Sequence, residues 1–327
     1  MDDKILEIKD LEVVYKTDEA VVHAINGLNL SLNKGETLGL VGETGAGKTT
    51  LALSIIKLLP ERTARVLNGT IQLGDFEVNQ LKEADMLALR GSVVSMIFQD
   101  PMTSLNPIHP IGKQIAEVLQ LHKKELTKEQ VDARVDEILN LVGISKDRKN
   151  DFPHQFSGGM KQRVVIAIAL ACDPQLLLAD EPTTALDVTI QAQVLQMMGR
   201  LKKELGTSMI LITHDLGVVA RTCDHVAIMY AGEIVEKGTV EEIFSGNWHH
   251  PYTTALFNAI PNLNEKVNRL HAIEGLMPDP TDLPTGCKFH PRCTRCTEQC
   301  TLEAPPVCSR GNHEVRCFLA ADNALEV

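Results

Sequence analysis

The chain has 327 residues, 44% of them hydrophobic and 23% charged, and a formal net charge of −11. That length accommodates a full α/β domain and a smaller second one, and the composition is that of an ordinary globular protein rather than a disordered chain. The acidic balance argues against a protein that lives on a phosphate backbone. The longest apolar runs, such as VVIAIALAC at 164–172, fall far short of the roughly 18 residues that indicate a spanning helix. The start, MDDKILEIKD, has no basic segment followed by an apolar one, so no secretory signal is read and the thiols are expected to be reduced in a cytosol.

Residues 5–15, ILEIKDLEVVY, and 24–32, AINGLNLSL, alternate apolar and polar side chains as half-buried antiparallel strands do. TLGLVG at 37–42 is a short apolar run suited to a strand buried on both faces, and LALSIIKLL at 51–59 reads as a helix. The stretch between them, Gly42-Glu43-Thr44-Gly45-Ala46-Gly47-Lys48-Thr49, matches the phosphate-loop pattern G-x-x-x-x-G-K-[ST]. Its glycines let backbone N–H groups curl around phosphate oxygens, and the following helix presents its positive end. Lys48 can reach the β- and γ-phosphates and the Thr49 hydroxyl can ligate Mg²⁺.

From about 112 to 142 the pattern is helical and more charged, with a capping box at Thr127–Gln130 and a helix end at Gly143. QLLLAD at 175–180 and SMILIT at 208–213 are further buried strands, and VAIMYAGEIVEKG at 226–238 is a hairpin turning at Ala231-Gly232. Asp180 ends an apolar strand, where a phosphate-loop enzyme needs a carboxylate for Mg²⁺, and Glu181 beside it is placed to polarise a water. After about residue 246 proline and cysteine become frequent and the periodicity fades, which sets a domain boundary there.

Phe156-Ser157-Gly158-Gly159-Met160-Lys161-Gln162 resembles the signature motif of ATP-binding cassette (ABC) ATPases, and it lies between the phosphate loop and the acidic strand as in that family. Ser157 can cap a helix whose first turn holds Gly158 and Gly159, a second anion-binding helix start in one chain. Further elements follow the family's order: Gln99 in the Q-loop, Ala185-Leu186-Asp187 in the D-loop, His214 after SMILIT, and Tyr15 upstream as the ring that stacks on adenine. The resemblance covers residues 5–245 and implies an α/β ABC ATPase fold: a RecA-like core, an antiparallel β subdomain and a helical signature subdomain at about 100–160.

The resemblance also implies roles. The loop residues Gly42 to Gly47, with Lys48, Thr49 and Thr50, bind ATP; Thr49, Gln99 and Asp180 serve Mg²⁺; Glu181 is the general base; His214 contacts the γ-phosphate; and Gln99 also senses nucleotide and couples it to the partner. Ser157, Gly158 and Gly159 serve the nucleotide of an opposite subunit in a head-to-tail dimer. The signature reads SGGMK where the family has glutamine most often at the fourth place, a departure common in one branch. The segment FQDPMTSLNPIHPIGKQIAE at 98–117 resembles the dipeptide/oligopeptide importers, as does HHPYTTALFNAIP at 249–261. The expected function is the ATPase subunit of a peptide importer. It works with a second, non-identical ATPase subunit, two membrane permeases and, indirectly, an extracellular peptide-binding protein, and it lies on the cytoplasmic face of the membrane. Alternatives are a nickel or other small-solute importer of the same branch, or a soluble ABC ATPase of DNA repair or translation. A single cassette and the acidic charge count against the last, and no nucleic-acid partner is expected.

Six of the eight cysteines fall in the last 41 residues: Cys287, Cys293, Cys296, Cys300, Cys308 and Cys317. Disulfides, a zinc site or an iron–sulfur cluster would each explain such crowding in a segment, 246–327, with few regularly spaced apolar residues. The segment is similar to the tail of D-type peptide-importer subunits, several of which hold a [4Fe–4S] cluster. That resemblance implies Cys287, Cys293, Cys300 and Cys317 as ligands, with zinc as the alternative metal. A tail that forms its own domain is expected to leave ATP binding untouched when its cysteines are replaced.

Overall fold

A computed structural model gives the fold, and it describes residues 3–184, 186–259, 273–321 and 324–325. Ala185 of the D-loop and residues 260–261 of the importer-like tail segment lie outside the described residues.

Twelve strands are described: β1 (Lys4–Lys16), β2 (Val21–Asn33), β3 (Thr37–Val41), β4 (Ala64–Leu73), β5 (Phe76–Glu77), β6 (Val94–Ile97), β7 (Leu176–Asp180), β8 (Ser208–Ile212), β9 (His225–Tyr230), β10 (Glu233–Thr239), β11 (Val307–Arg310) and β12 (His313–Arg316). The two alternating runs near the N-terminus are β1 and β2. They pair antiparallel and form, with β4 and β5, a sheet of order β2-β1-β4-β5. The second sheet has order β11-β12-β10-β9-β3-β8-β7-β6, parallel from β9 to β6 and antiparallel from β9 to β11.

Strands β3, β7 and β8 are buried along their whole length, as their apolar runs require of strands covered on both faces. Period-2 alternation divides their side chains between two cores. Leu177, Ala179, Met209 and Leu211 face the helices Ile111–His122, Lys128–Leu141, Gly158–Leu170 and Val188–Leu205. Leu176, Leu178, Ile210 and Ile212 pack with the antiparallel sheet and with Leu51 and Ile55 of the first helix. The capping box forms: the Thr127 hydroxyl accepts from the Gln130 N–H at 3.3 Å, and Gln130 Oε1 accepts from the Thr127 N–H at 2.8 Å.

The helix expected at 51–59 runs from Lys48 to Ile55. Gly47, at φ 102, ends the loop, so the Lys-Thr-Thr of the motif becomes the first helical turn. At the Ala231-Gly232 turn both residues have positive φ, 44 and 80, the combination that matches the twist of a tight hairpin. The Gly232 N–H donates to the Ala46 carbonyl at 3.0 Å and so props the phosphate loop.

The tail is built onto the cassette's own sheet: β12 pairs with β10, Val315 opposite Glu236, and carries β11 on its other edge. Its few apolar side chains plug separate holes instead of forming one core. Phe289 packs edge-on against Tyr230 at 5.1 Å between ring centroids, and Trp248 gathers Val315, Cys317, Ala320 and Leu325.

A buried carboxylate fastens this junction. Glu236 Oε1 accepts from His249 Nδ1 at 2.7 Å and His313 Nε2 at 2.8 Å, and Oε2 accepts from the His250 N–H at 2.7 Å and the Thr253 hydroxyl at 2.5 Å. Burial alone would push Glu236 up, but the hydrogen bonds from His249, His313 and Thr253 hold it well below the usual carboxylate range. His249 also donates from Nε2 to the Gly246 carbonyl at 3.0 Å, so both ring nitrogens carry protons and the ring is an imidazolium that compensates Glu236. Donor atoms of Glu236, His249 and His313 lie within 4.8 Å of one another, but the proton count makes the group a complete hydrogen-bonded latch rather than an open metal site.

Candidate functional site

The pairing register sets the site. Leu40 of β3 lies opposite Ile212 of β8, which lies opposite Asp180 of β7, so three parallel strands end level with one another. In parallel sheets that carboxyl edge is where ligands bind. The phosphate loop leaves β3 at Gly42, whose position admits no side chain: a Cβ there would lie 2.2 Å from the Met229 carbonyl oxygen. Gly47 is constrained in the same way by its φ of 102 and by the Ala24 carbonyl oxygen 2.4 Å from where its Cβ would be.

Lys48 is buried, and Nζ donates to the carbonyls of Gly42 at 2.6 Å and Glu43 at 2.9 Å, arching over the loop. Burial lowers its pKa, and the charges of Glu181, Asp180 and Glu43 oppose that shift. The Thr49 hydroxyl donates to Asp180 Oδ2 at 2.8 Å. A hydroxyl and a carboxylate side by side are the hard oxygen donors that Mg²⁺ takes, so the residues fit that ion. Tyr15, on β1, is held to the same helix by a 3.2 Å contact between its hydroxyl and that of Thr50.

Glu181 follows β7 with φ 46, a left-handed conformation uncommon for glutamate, and its N–H donates to the Ile212 carbonyl at 2.9 Å. Oε2 accepts from Gln99 Nε2 at 3.0 Å and from the Thr184 hydroxyl at 2.9 Å, and Oε1 lies 3.2 Å from His214 Nδ1. Burial raises the carboxyl's pKa, but Thr184, His214 and Gln99 together bring it below the usual range, so the group is an ionised acceptor. His214 is 72% exposed at the mouth of the site. Lys48, Thr49, Asp180, Glu181, Gln99 and His214, predicted from separate stretches of sequence, thus converge on one sheet edge. Thr184 was not singled out, although its place three residues after Glu181 is the signal that could have found it.

The Ser157 turn behaves differently. Ser157 takes the N-cap position of the helix Gly158–Leu170, but its hydroxyl makes no capping bond, contrary to the sequence expectation. Ser157 and Gly158 are exposed. Gly159 allows the helix to approach its neighbour, since a Cβ there would lie 2.6 Å from Ile190 Cγ2. Among the described residues no hydrogen bond joins this turn to residues 42–50. Asp187 caps the helix Val188–Leu205 by accepting from the Ile190 N–H at 3.0 Å.

Two tail residues touch the phosphate loop, and neither was foreseen. The Tyr252 hydroxyl accepts from the Glu43 N–H at 3.0 Å, and Arg292 clasps the Glu43 carboxylate with both guanidinium nitrogens, at 2.7 and 3.1 Å.

All eight cysteines are unpaired thiols. Cys287, Cys293, Cys300 and Cys317 lie close enough for their charges to interact. Burial pushes the Cys287, Cys293 and Cys317 thiols up, and nearby main-chain N–H groups oppose that shift. Cys300 Sγ lies 3.2 Å from the Thr297 hydroxyl. Cys296 also lies beside Cys300 but is exposed, with its Sγ directed to the Thr297 carbonyl at 3.4 Å, and Cys308 sits on β11 against the Trp248 cluster. Among the described residues no three cysteine sulfurs lie within 4.8 Å of one another, whereas bound zinc holds its thiolates about 3.8 Å apart.

Residues 25–184 match the ABC transporter family, and residues 235–300 match the family described as oligopeptide/dipeptide transporter, C-terminal region. The chain is 44% identical to the oligopeptide transport ATP-binding protein AppD of Bacillus subtilis (strain 168), over 98% of each chain. It is 48% identical to OppD, the protein of the same description in that organism, over 99% of this chain and 91% of that protein. A similar solved structure is the dimeric ATP-binding cassette MJ0796 bound to ADP and Pi, 26% identical with a TM-score of 0.64, covering 72% of this chain and 98% of that one.

Proposed function

The chain belongs to the ATP-binding subunits of the oligopeptide/dipeptide ABC transporters, and we propose that it binds MgATP on its own phosphate loop and hydrolyses it only when the Ser157–Gly159 turn of a second ATPase subunit closes over the γ-phosphate. It is an ATPase that powers a peptide importer. One observation carries the composite-site reading: the signature turn is exposed, uncapped and not bonded to its own phosphate loop, while the other reactive groups converge.

The roles divide as follows. The N–H groups of residues 42–47, with Lys48, Thr49 and Thr50, hold the phosphates, and Tyr15 stacks on adenine. Thr49, Asp180 and Gln99 would hold Mg²⁺, which would supply neutralisation of phosphate charge. A water then attacks the γ-phosphorus, the bond to the bridging oxygen of ADP breaks, and Glu181 takes the water's proton. His214 contacts the γ-phosphate. The second ATPase subunit is non-identical, two permeases carry the motion into the membrane, and an extracellular binding protein delivers the peptide. The chain sits peripherally on the cytoplasmic face; among its described residues no helix is long and apolar enough to cross a membrane. Residues 1–245 are the cassette and 246–327 the peptide-importer-type C-terminal domain, whose described residues pair with and bond to the cassette.

If the site is composite, the isolated chain is a poor ATPase, and turnover rises on assembly with the second subunit and the permeases, by about a hundredfold if the signature turn acts like other transition-state clamps. A lone chain as active as the assembly would refute this.

For the cysteines we propose a structural [4Fe–4S] cluster on Cys287, Cys293, Cys300 and Cys317, supported by the mutual proximity of the four thiols and the Thr297 hydroxyl beside Cys300. Protein prepared without oxygen is expected to be brown, with about four iron atoms and four sulfides per chain. Replacing any of the four by Ser should bleach it and open residues 285–320 to protease, whereas Cys296→Ser and Cys308→Ser should keep most of the colour. Stoichiometric zinc without iron would overturn the cluster.

A further inference from the structure

A carboxylate at the second position of a phosphate loop is a poor neighbour for a polyanion. Glu43 is close enough to Lys48 for its charge to act on that ammonium, so an unpaired Glu43 would repel the phosphates that Lys48 is placed to meet. It is not unpaired. Arg292 meets it through a bidentate fork at 2.7 and 3.1 Å, the geometry in which guanidinium and carboxylate are most strongly matched.

The guanidinium is itself fixed. Its side chain is only 4% exposed; Nε donates to the Glu274 carbonyl at 3.0 Å and Nη2 to the Ile273 carbonyl at 3.4 Å. Nη1 also lies 3.4 Å from the Tyr230 hydroxyl. Arg292 ends the short turn His290–Arg292 and immediately precedes Cys293, whose N–H donates to the His290 carbonyl at 3.2 Å. Tyr252 holds the Glu43 main chain from the same side. The tail therefore grips the loop by charge and by backbone, and the expectation that nucleotide binding is independent of the cysteine segment loses its physical basis.

We propose that Arg292 is a positioning residue for the phosphate loop, neutralising Glu43 and holding its carboxylate in place, so that the order of the cysteine segment sets nucleotide affinity. The last clause rests on the cluster proposed above; the Arg292–Glu43 coupling does not.

The test uses the full chain, prepared without oxygen, with MgATP affinity measured at equilibrium and iron counted. Arg292→Ala should weaken MgATP binding by about tenfold, the loss expected for one charge-assisted fork, with iron retained. In the assembled complex KM should rise while kcat stays within about twofold, since the hydrolytic groups are untouched. Adding Glu43→Gln should restore the affinity, because the carboxylate left unpaired is then neutral. A merely structural role for Arg292 would not be rescued this way. Arg292→Lys, which keeps the charge and loses the fork, should fall between wild type and Arg292→Ala, and it covers the case in which the alanine variant fails to fold. Wild-type affinity in Arg292→Ala or Arg292→Lys, or a double variant as weak as Arg292→Ala, overturns the proposal. Cys293→Ser separates the two layers. Loss of iron with a matching loss of affinity supports both. Loss of iron with unchanged affinity overturns the link to segment order, and iron retained in Cys293→Ser overturns the choice of ligand while leaving the Arg292–Glu43 coupling to the other variants.

Discussion

Glu181→Gln is expected to bind MgATP within a few-fold of wild type and to hydrolyse it about 10²–10⁴ times more slowly, the range for losing a positioned general base. The substitution keeps the size of the side chain and one acceptor oxygen for Gln99 or Thr184, whose contacts with Glu181 are 3.0 and 2.9 Å. It leaves Lys48, Thr49 and Asp180 in place. What it removes is the ionised oxygen that, in the proposed mechanism, takes the proton of the attacking water. In the proposed cycle closure precedes hydrolysis, so the ATP-bound closed dimer should accumulate, visible as a larger assembly at saturating nucleotide. A steady-state rate near that of wild type in the assembled transporter would mean that another group is the base.

The residues that converge on the sheet edge were legible in the sequence because each is announced by its own neighbourhood. A strand-loop-helix with glycines at fixed spacing, an apolar strand ending in Asp180 and Glu181, and a strand followed by His214 each carry a local signal. So does the capping box at Thr127–Gln130, which formed as read. What the sequence could not show is contact between distant segments. Arg292 and Glu43 are 249 positions apart, and nothing in HPRC or GETG marks them as partners. Strands β11 and β12 escaped notice for another reason. Each is four residues long, and β11 is largely exposed at the sheet edge, so neither has room to display an alternating pattern. The uncapped Ser157 is a third kind of miss. Propensity favours a serine hydroxyl on its own helix start, but here that start remains uncapped, and the proposed role turns it toward the nucleotide of another subunit.

That division of labour predicts two lesions that differ in kind. Lys48→Ala removes the buried ammonium at the centre of the phosphate loop and should weaken MgATP binding to the isolated chain by about a hundredfold or more. Ser157→Arg places a bulky cation on an exposed turn that is not bonded to this chain's phosphate loop, so it should leave that affinity unchanged. In the assembled transporter it should nevertheless block closure over the partner's nucleotide and abolish most turnover. The deciding measurement is therefore the MgATP affinity of the isolated chain carrying Ser157→Arg, read beside the turnover of the same variant in the assembly. Wild-type affinity with turnover reduced by about a hundredfold or more is the predicted result; an affinity loss equal to that of Lys48→Ala, or undiminished turnover, would contradict a site shared between two subunits.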